Sequence, residues 1–348
     1  MQAVLEKLIH PEFQQSLGEL EMLKGVEKKD GIWEVKVDFL TFGSPVKDQL
    51  VQAVKGAAEE PVNVVDVTTQ RSTQPALGGG VLPTVKNVLA VGSGKGGVGK
   101  STVAINIAAS LALEGARVGL IDADIYGPSV PPLAGVEQFG VSMRDHMLQP
   151  VEKFGFKMMS MGFFMKPGDS VIWRGPKLHG RIELFCTQVE WGELDFMVLD
   201  LPPGTGDVAL SLSQMIPLGG AVIVSTPQQV AVGIASKAIN AFGKLNVPLL
   251  GLVENMSYYS CPSCGKPDNV FGHGGARQVA KDFELPFLGE IPLNSTMLEA
   301  SDKGLPVVVS HPDSAPAQSL RRIAQLAAGR LSVAAVAGYD AVYENVLS

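Results

Sequence analysis

Short apolar runs alternate with stretches of helical spacing along most of the chain, and this alternation predicts an α/β fold. The apolar runs have the length of buried strands and occupy residues 87–91, 117–121, 195–199, 221–225 and 249–253. Helical spacing occurs between them, over residues 100–114, 176–190, 207–216 and 229–245. This order predicts a doubly wound, mostly parallel sheet, whose ligands bind beyond the carboxyl ends of the strands.

The first 70 residues show a different pattern, which predicts a small N-terminal α+β domain. A helical stretch opens this region, strand-like alternation occupies residues 33–39 and 61–67, and helical spacing returns over 48–58. A turn-rich segment follows and has the character of a linker. The predicted boundaries are 1–70 for the small domain, 71–85 for the linker, 86–335 for the main domain and 336–348 for a C-terminal tail.

The composition is that of a globular protein, and it argues against some classes of function. Hydrophobic residues make up 46% of the 348 positions, and the formal net charge is −7. Such an acidic chain lacks the basic face that sequence-independent nucleic-acid binding needs. We find no stretch apolar enough to cross a bilayer, no secretory signal and no Arg-rich transit peptide. We therefore expect a cytoplasmic protein with no nucleic-acid or membrane partner.

One glycine-rich segment fits the phosphate-loop pattern G-x-x-x-x-G-K-[ST] and follows the first predicted strand of the main domain. Its glycines let successive N–H groups turn toward phosphate oxygens, and the helix after it adds positive charge at its N-terminus. Lys100 would neutralise the β- and γ-phosphates of ATP, and the Ser101 hydroxyl would bind Mg²⁺. The predicted nucleotide-binding residues here are Gly94, Lys95, Gly96, Gly97, Val98, Gly99, Lys100, Ser101 and Thr102.

Lys95 is the unusual residue of this loop, because an ordinary Walker A loop does not require lysine there. The run SGKGGVGKST is similar to the deviant Walker A loop of the MinD-, ParA- and nitrogenase-iron-protein-like ATPases. In that class the first lysine reaches the nucleotide of the partner subunit, where it adds positive charge to the transition state. The resemblance implies a homodimer in which Lys95 and Lys100 both act in catalysis.

Three aspartates end predicted strands and complete the expected catalytic site. Asp200 follows strand 195–199, and we predict that this Walker B carboxylate holds Mg²⁺ through water. Asp122 and Asp124 follow strand 117–121, and the alternation of side chains places both toward the nucleotide crevice. By resemblance to the class, Asp124 positions the attacking water, and Asp122 lies nearer the water shell of Mg²⁺.

Two further loops supply the remaining predicted contacts with the nucleotide. The run PPGTGD after Asp200 resembles a switch II loop, and we expect the Gly204 N–H to contact the γ-phosphate. In the same class an asparagine at the position of Asn255 hydrogen-bonds the adenine edge, and Pro292 flanks the base. A side-chain amide suits this role because it matches adenine's adjacent donor and acceptor.

Cys261 and Cys264 form a C-x-x-C motif in a loop rich in turn residues. Two thiolates at this spacing can converge on one metal ion or one cluster. The residues alone leave three uses open: an iron–sulfur cluster, a zinc ion with His273 and Asp268 as nearby further ligands, and a redox pair. Cys186 lies in a predicted helix beside apolar residues, so we expect it to be a core residue without a ligand role.

The motifs together resemble the Mrp/ApbC family of iron–sulfur cluster carriers. The matching runs are SGKGGVGKST, DADIYGPS, WRGP, DLPPGTGD, ENMSYYSCPSCG, FGHGG and EIPL. The resemblance implies an ATPase that binds a cluster at Cys261 and Cys264. Such a carrier receives the cluster from a scaffold or donor protein and delivers it to apo iron–sulfur proteins.

The first 70 residues resemble the small metal–sulfur assembly domain that is often fused ahead of this ATPase. Ser44 stands where many relatives have cysteine, and His10-Pro11-Glu12 stands where Asp-Pro-Glu is usual. A metal role needs such ligands, so we expect this domain to be a docking module.

The number of cysteines predicts how the cluster is held. Each chain offers one C-x-x-C, whereas a cluster normally takes four thiolates, so we expect a cluster that bridges two subunits. The sequence leaves [4Fe–4S] and [2Fe–2S] both open, and we expect [4Fe–4S]. A nitrogenase-iron-protein-like electron-transfer ATPase is one alternative, although its relatives space the two cysteines far apart. A MinD- or ParA-like spatial regulator is another, and it needs a basic surface or a terminal basic amphipathic helix. Residues 319–331 carry three arginines at helical spacing, but we expect a helix packed on the sheet.

Overall fold

The computed structural model describes the chain in two units, each with its own hydrophobic core. The described residues are 1–58, 60–74, 81–125, 127–137, 139–165, 175–204, 212, 215–261, 264 and 266–338. The predicted helix over 207–216, the WRGP run and most of the predicted tail therefore lie largely outside the described residues.

The N-terminal unit is a three-stranded sheet covered by one long and one short helix. Its strands are β1 (Leu23–Lys29), β2 (Ile32–Val37) and β3 (Val62–Asp66), and its helices are α1 (Gln2–Leu5) and α2 (Lys47–Gly56). Strand β1 pairs antiparallel with β2, and β2 pairs parallel with β3 through the crossover helix α2. The two predicted strands and the second helix are confirmed to within a few residues.

The start of the chain differs from the prediction, because α1 is only one turn long and the strand β1 follows it. Pro11 cannot donate to a helical ladder, and Gln14 and Glu21 adopt positive φ angles of 53° and 52°. The helical spacing therefore does not continue. Strand β1 escaped prediction because its sequence LKGVEKK is charged and mostly exposed, without clear alternation.

The main unit contains, within the described residues, a nine-stranded sheet in the order β13-β12-β11-β4-β10-β5-β9-β8, with β14 also paired to β12. Seven strands run parallel, and β8 and β13 run antiparallel to their neighbours. The strands are β4 (Val85–Gly92), β5 (Val118–Asp122), β8 (Val151–Lys153), β9 (Phe156–Ser160), β10 (Leu194–Asp200), β11 (Gly220–Ser225), β12 (Leu249–Ser260), β13 (Pro267–Asp268) and β14 (Phe287–Leu293). Strands β6 (Ser142–Arg144) and β7 (Met147–Gln149) form a separate hairpin.

Helices of the main unit pack against this sheet. They are α3 (Lys100–Leu113), α4 (Val130–Ala134), α5 (Gly175–Thr187), α6 (Gln229–Lys244), α7 (Gly275–Asp282), α8 (Ser295–Asp302), α9 (Val307–Ser310) and α10 (Ala315–Ala337), with a 3₁₀ helix at Met161–Phe164. The predicted α/β class and mostly parallel sheet are confirmed. The C-terminal ends of β4, β5 and β10 meet at one edge, where β4 lies between β10 and β11. A ligand site is expected at such a reversal of strand order.

Helix α10 packs on α3 and β14 with its apolar side chains buried, including Leu320, Ile323 and Leu331. This confirms the prediction that residues 319–331 form a helix packed on the sheet. Across the part of the chain that the structure describes, we find no helix both long and apolar enough to cross a bilayer.

Hydrogen bonds from α10 and from the predicted linker connect the N-terminal unit with the main unit. Arg322 on α10 donates to the Pro45 carbonyl at 2.9 Å, and the Ser332 hydroxyl donates to the Leu40 carbonyl at 3.2 Å. The predicted linker is also held at its start, where the Thr73 N–H donates to Asn87 Oδ1 at 3.1 Å. The N-terminal unit therefore rests on the C-terminal helix of the main unit.

Candidate functional site

The glycine-rich segment joins the end of β4 to the start of α3 and forms a tight loop. Gly97 and Gly99 adopt φ angles of 79° and 80°, which strain residues with a side chain. Gly99 immediately precedes Lys100, the first residue of α3, so the loop ends at a helix N-terminus. The N-terminal N–H groups of this helix have no partner within the helix and suit an anion.

A cavity of about 610 Å³ opens above this loop. Its volume lies in the range of roughly 300–1,000 Å³ that is typical of small-molecule sites. Residues Ser93, Lys95, Gly96, Gly97, Gly99, Lys100, Ser101, Thr102, Asp124 and Pro203 line one side of it. Most of the predicted nucleotide-binding residues therefore surround one cavity, whereas Val98 is buried beneath the loop.

Lys100 and Asp200 form a buried ion pair at the base of the cavity. Lys100 Nζ donates to Asp200 Oδ1 at 2.5 Å, and it also lies 3.2 Å from the Ser101 hydroxyl. Burial raises the pKa of Asp200, and the positive charge of Lys100 opposes this rise. The second oxygen, Oδ2, is buried without a hydrogen-bond partner among the described residues. A carboxylate oxygen in this state fits a hydrated cation.

Asp124 and Asp122 have different surroundings, although both were predicted to face the crevice. Asp124 lines the cavity, and its Oδ1 accepts a hydrogen bond from the Gly127 N–H at 3.3 Å. Asp122 is completely buried, and its oxygens accept from Asp124 N, Val130 N and the Ser160 hydroxyl. Burial and the nearby charge of Asp200 raise the pKa of Asp122. In this structure Asp122 therefore holds the loop that carries Asp124, and a place near the Mg²⁺ water shell stays a prediction.

Gly204 is tied to the phosphate loop in this structure. Its N–H donates to the Ser93 carbonyl at 2.9 Å, and its φ of 96° requires glycine. A contact between this N–H and a γ-phosphate therefore requires that bond to break. Residues 205–211, which follow in the predicted switch II run, lie outside the described residues.

Asn255 and Pro292 are both buried, and neither is in the described lining of the cavity. The Asn255 side-chain amide donates from Nδ2 to the Val98 carbonyl at 2.8 Å. Pro292 lies in β14, which pairs with the strand of Asn255. Their predicted contacts with adenine stay predictions, whereas the contact of Asn255 with the loop is a structural fact.

Cys261 and Cys264 lie at the tip of a hairpin that continues from β12 into β13. Tyr259 pairs with Asp268, and the Cys261 N–H donates to the Lys266 carbonyl at 3.1 Å, which closes the turn. Cys261 is half-buried and Cys264 is exposed. The hairpin therefore presents both cysteines near the protein surface.

Cys186 has the environment that was expected of a core residue. It is buried in α5, and burial raises the pKa of its thiol to about 12. Such a thiol stays protonated at neutral pH and is a poor metal ligand.

His273 does not join the cysteine pair. Its Nε2 lies 3.3 Å from Glu290 Oε2, and its ring stacks on Tyr258 at a centroid distance of 6.5 Å. Among the described residues, the three-member group of possible metal ligands is Glu254, His273 and Glu290, and it contains neither cysteine. Both oxygens of Glu254 accept hydrogen bonds, from Ser257 Oγ, Gly274 N and Ala276 N.

Sequence reasoning missed three parts of the site. Residues Ser301–Gly304 and Glu137 form the far wall of the cavity, but they belong to no motif. Ser160 holds Asp122 from β9, a strand that the pattern did not reveal. Glu254 was detectable, because a carboxylate at the end of a buried apolar run needs a local partner.

Comparison with known families decides the class of this protein. The sequence model of the ParA family described as NUBPL iron-transfer P-loop NTPase matches residues 84–328. This match covers more than half of the chain and includes both the phosphate loop and the cysteine hairpin. The chain belongs to this family.

Relatives of this iron-transfer P-loop NTPase extend over both units. The iron–sulfur cluster carrier protein of Deinococcus radiodurans is 46% identical over 330 residues, which span 93% of this chain and 92% of the relative. The mouse iron–sulfur cluster transfer protein NUBPL is 46% identical over 249 residues, which span 71% of this chain and 78% of the relative. The mouse protein therefore shares a smaller part of the chain.

Solved structures support the same assignment. A nucleotide-binding protein from Archaeoglobus fulgidus in complex with ADP is 40% identical, with a TM-score of 0.60 over 68% of this chain and 92% of its own. The cell-division ATPase MinD of Pyrococcus furiosus is 20% identical, with a TM-score of 0.50 over 69% of this chain and 97% of its own. The second likeness shows the fold alone.

Proposed function

We propose that this P-loop NTPase is an ATP-hydrolysing carrier that binds an iron–sulfur cluster at Cys261 and Cys264 and transfers it to apoproteins. The observation that carries the proposal is that one strand serves both sites. Strand β12 contacts the phosphate loop through Asn255 and continues directly into the cysteine hairpin. The names of the related carrier and transfer proteins support the same cargo.

The nucleotide site has the groups that ATP and Mg²⁺ require. Lys100 and the loop N–H groups would hold the phosphates, the Ser101 hydroxyl would bind Mg²⁺, and the Asp200 carboxylate would hold the ion through water. Bound there, Mg²⁺ would supply positive charge beside the phosphate oxygens. Asp124 lines the same cavity and orients the attacking water through its carboxylate. We name Lys100, Lys95, Asp124 and Asp200 as the hydrolytic residues.

Lys95 acts in this proposal from the partner subunit of a homodimer. Its side chain is exposed on the loop in one chain, where it can reach across an interface. Mixing Lys95→Ala chains with Asp124→Ala chains should therefore restore part of the turnover, because a heterodimer keeps one intact half. An absence of recovery in confirmed heterodimers would count against action across the interface.

The cluster is cargo rather than a fixed cofactor, because a carrier has to release it. We propose a [4Fe–4S] cluster held by the two cysteine hairpins of a dimer. The zinc alternative loses support, because His273 is engaged with Glu290 and Tyr258. The spatial-regulator alternative loses support as well, since α10 buries its apolar face.

Cluster transfer tests the function directly. The protein is reconstituted anaerobically with iron and sulfide, desalted, and mixed with an apo [4Fe–4S] enzyme whose activity returns on loading. Cys261→Ser and Cys264→Ser should abolish both the visible chromophore and the transfer while keeping ATP binding. The matched control is Cys186→Ala, which should retain both.

Transfer at the wild-type rate by Cys261→Ser would reject the cysteine hairpin as the cargo site.

The domain boundaries 1–70, 71–85 and 86–335 also stay part of the proposal, and the two separate cores support them.

A further inference from the structure

We infer that Asn255 is a positioning residue of the phosphate loop, whose side-chain amide orients the Val98–Gly99 peptide so that the Gly99 N–H faces the nucleotide phosphates. This inference rests on the proposed nucleotide-binding function. It assigns Asn255 a role that depends on the phosphates and not on the base.

The contact that carries the inference is buried and has a defined direction. Asn255 Nδ2 lies 2.8 Å from the Val98 carbonyl oxygen, and the asparagine is only 3% exposed. A carbonyl oxygen is an acceptor only, so the amide must present its NH₂ group there. The identity of the two amide ends is therefore fixed by the acceptor.

The orientation of the Val98 carbonyl fixes the orientation of the Gly99 N–H, because both belong to the same planar peptide. We find no cis peptide bond in the described chain, and in a planar trans peptide the C=O and the following N–H point in opposite directions. The Val98 carbonyl points toward Asn255, beneath the loop. The Gly99 N–H therefore points the other way, and Gly99 is among the residues that line the cavity.

The fit between the two residues is close. A Cβ atom placed on Gly99 would lie 2.3 Å from Asn255 Nδ2, so the amide packs directly against the glycine backbone. Gly99 also has a positive φ of 80°, which an unsupported glycine leaves easily. The hydrogen bond thus holds a flexible peptide in one orientation.

The pairing of β12 with β14 restrains the position of the Asn255 side-chain amide. Asn255 pairs with Ile291 of β14, and the ladder is interrupted between Asn255 and Tyr259, where Met256 has a φ of 55°. This irregularity follows the asparagine immediately. The residue is therefore anchored in the sheet on one side and bonded to the loop on the other.

The test compares ligands that share phosphates and differ in the base. Binding of ATP, GTP and inorganic tripolyphosphate, each with Mg²⁺, is measured by calorimetry for the wild type and Asn255→Ala. Loss of one neutral hydrogen bond should weaken all three ligands by the same factor, roughly 2- to 10-fold. Asn255→Asp keeps the size but removes the donor and faces a carbonyl oxygen, so it should weaken all three ligands more strongly.

A spectroscopic measurement follows the peptide itself. In a spectrum of ¹⁵N-glycine-labelled wild type, tripolyphosphate should shift the Gly99 amide resonance, and this shift should be lost in Asn255→Ala. The matched control is Asn240→Ala, which removes an exposed asparagine of α6 and should change neither binding nor spectrum. Unchanged melting temperatures would show that the variants are folded.

Two results would overturn the inference, and they differ in what they imply for the proposed nucleotide-binding function. If Asn255→Ala weakens ATP but leaves tripolyphosphate unchanged, Asn255 recognises adenine, and the proposed function survives. If the wild type binds none of the three ligands, the proposed nucleotide-binding function fails together with the inference.

Discussion

Lys100 and Asp200 form a buried ion pair in which Lys100 donates to one of the two carboxylate oxygens. Both side chains are almost completely buried, and each charge is stabilised by the other. A buried ion pair is costly to break by removing one partner, because the remaining charge stays desolvated. If the phosphates contact Lys100 and Mg²⁺ is held by Asp200, as proposed, nucleotide binding would separate this ion pair.

Lys100→Ala should therefore have two effects, one on binding and one on stability. ATP binding, measured by calorimetry, should fall below detection because the buried positive charge at the base of the cavity is lost. The free energy of unfolding should fall by about 3 kcal/mol, because Asp200 is left buried without its partner. Lys95→Ala is the comparison: it should keep stability because Lys95 is exposed, and it should keep ATP binding because its proposed target is the nucleotide of the partner subunit.

Equal loss of binding in both lysine variants would show that Lys95 serves its own subunit. Restored stability in the double variant Lys100→Ala, Asp200→Asn would confirm that the uncompensated charge is the cause.

His10 provides a prediction about pH. It is 1% exposed, its Nδ1 accepts from the Glu12 N–H at 3.2 Å, and burial lowers its pKa to about 4. The unfolded chain binds the proton near pH 6.5, so the folded state loses stability as the pH falls from about 6.5 to about 4. The full loss is on the order of 3 kcal/mol.

His10→Asn should flatten this part of the stability profile, because asparagine keeps an acceptor for the Glu12 N–H but binds no proton. Denaturant unfolding at pH 7 and pH 5 measures the effect, and His311→Asn, an exposed histidine, is the control. An unchanged profile in His10→Asn would assign the acid sensitivity to other groups.

At the residue scale, the sequence predicted the positions of those side chains whose residue type is specified by a motif. Lys100, Ser101 and Asp124 line the predicted cavity because the loop and the strand ends place them locally. The orientations of Asp122 and Gly204 were not predictable. They depend on Ser160 at the end of β9 and on Ser93 in the phosphate loop, which approach from other parts of the chain.

At the scale of elements, strands that are buried on both faces were the easiest to predict. Strands β4, β5, β10 and β11 are almost entirely buried, so each appears as a short apolar run. Strand β14 contains Gly289 and Pro292, two residues that ordinarily argue against a strand interior. Its assignment depends on pairing with β12, which no local pattern records.

Strand β12 connects the phosphate loop with the turn before α7 through two consecutive residues, Asn255 and Glu254. Asn255 holds the phosphate loop, and its neighbour Glu254 holds the turn before α7. Glu254 accepts from Gly274 N at 2.9 Å and Ala276 N at 2.8 Å, so it caps the helix from another element. This turn lies beside the hairpin that carries the cysteines.

Glu254→Gln should loosen that turn without unfolding the protein. Glutamine offers one acceptor oxygen, and its NH₂ group faces backbone donors, so at least one hydrogen bond is lost. Hydrogen exchange monitored by mass spectrometry should show faster exchange over residues 270–276 and unchanged exchange over residues 94–101. The control is Glu284→Gln, an exposed glutamate on the loop after α7. Faster exchange across the whole of β12 would instead indicate global destabilisation.

At the scale of the molecule, the N-terminal unit packs in a defined position on α10. Glu12 is half-buried near Arg322 and Arg330, and burial raises its pKa while the charges of the two arginines oppose this rise. Arg322 also donates to the Pro45 carbonyl, next to Ser44. Both contacts of the N-terminal unit are therefore made with the C-terminal helix of the main unit.

The position of the cargo follows from the number of cysteines and their placement. One chain presents two thiols on one exposed hairpin, and a cubane cluster normally takes four thiolates. Within the described residues, no histidine or carboxylate joins the pair to complete a group of three ligands. A two-fold axis through the hairpin tips would bring together the same loop from both subunits and supply four thiolates.

We therefore expect about four iron atoms per two chains after anaerobic reconstitution, with loss of the cluster when the dimer dissociates. Metal analysis combined with native mass spectrometry measures both quantities on the same sample. Cys264→Ser should abolish iron binding and leave the ATP affinity unchanged, because the hairpin lies outside the cavity lining among the described residues. Cys186→Ala is the control, and it should bind the same amount of iron as the wild type. Four iron atoms on an isolated monomer, or zinc alone in the purified protein, would contradict a bridging cluster.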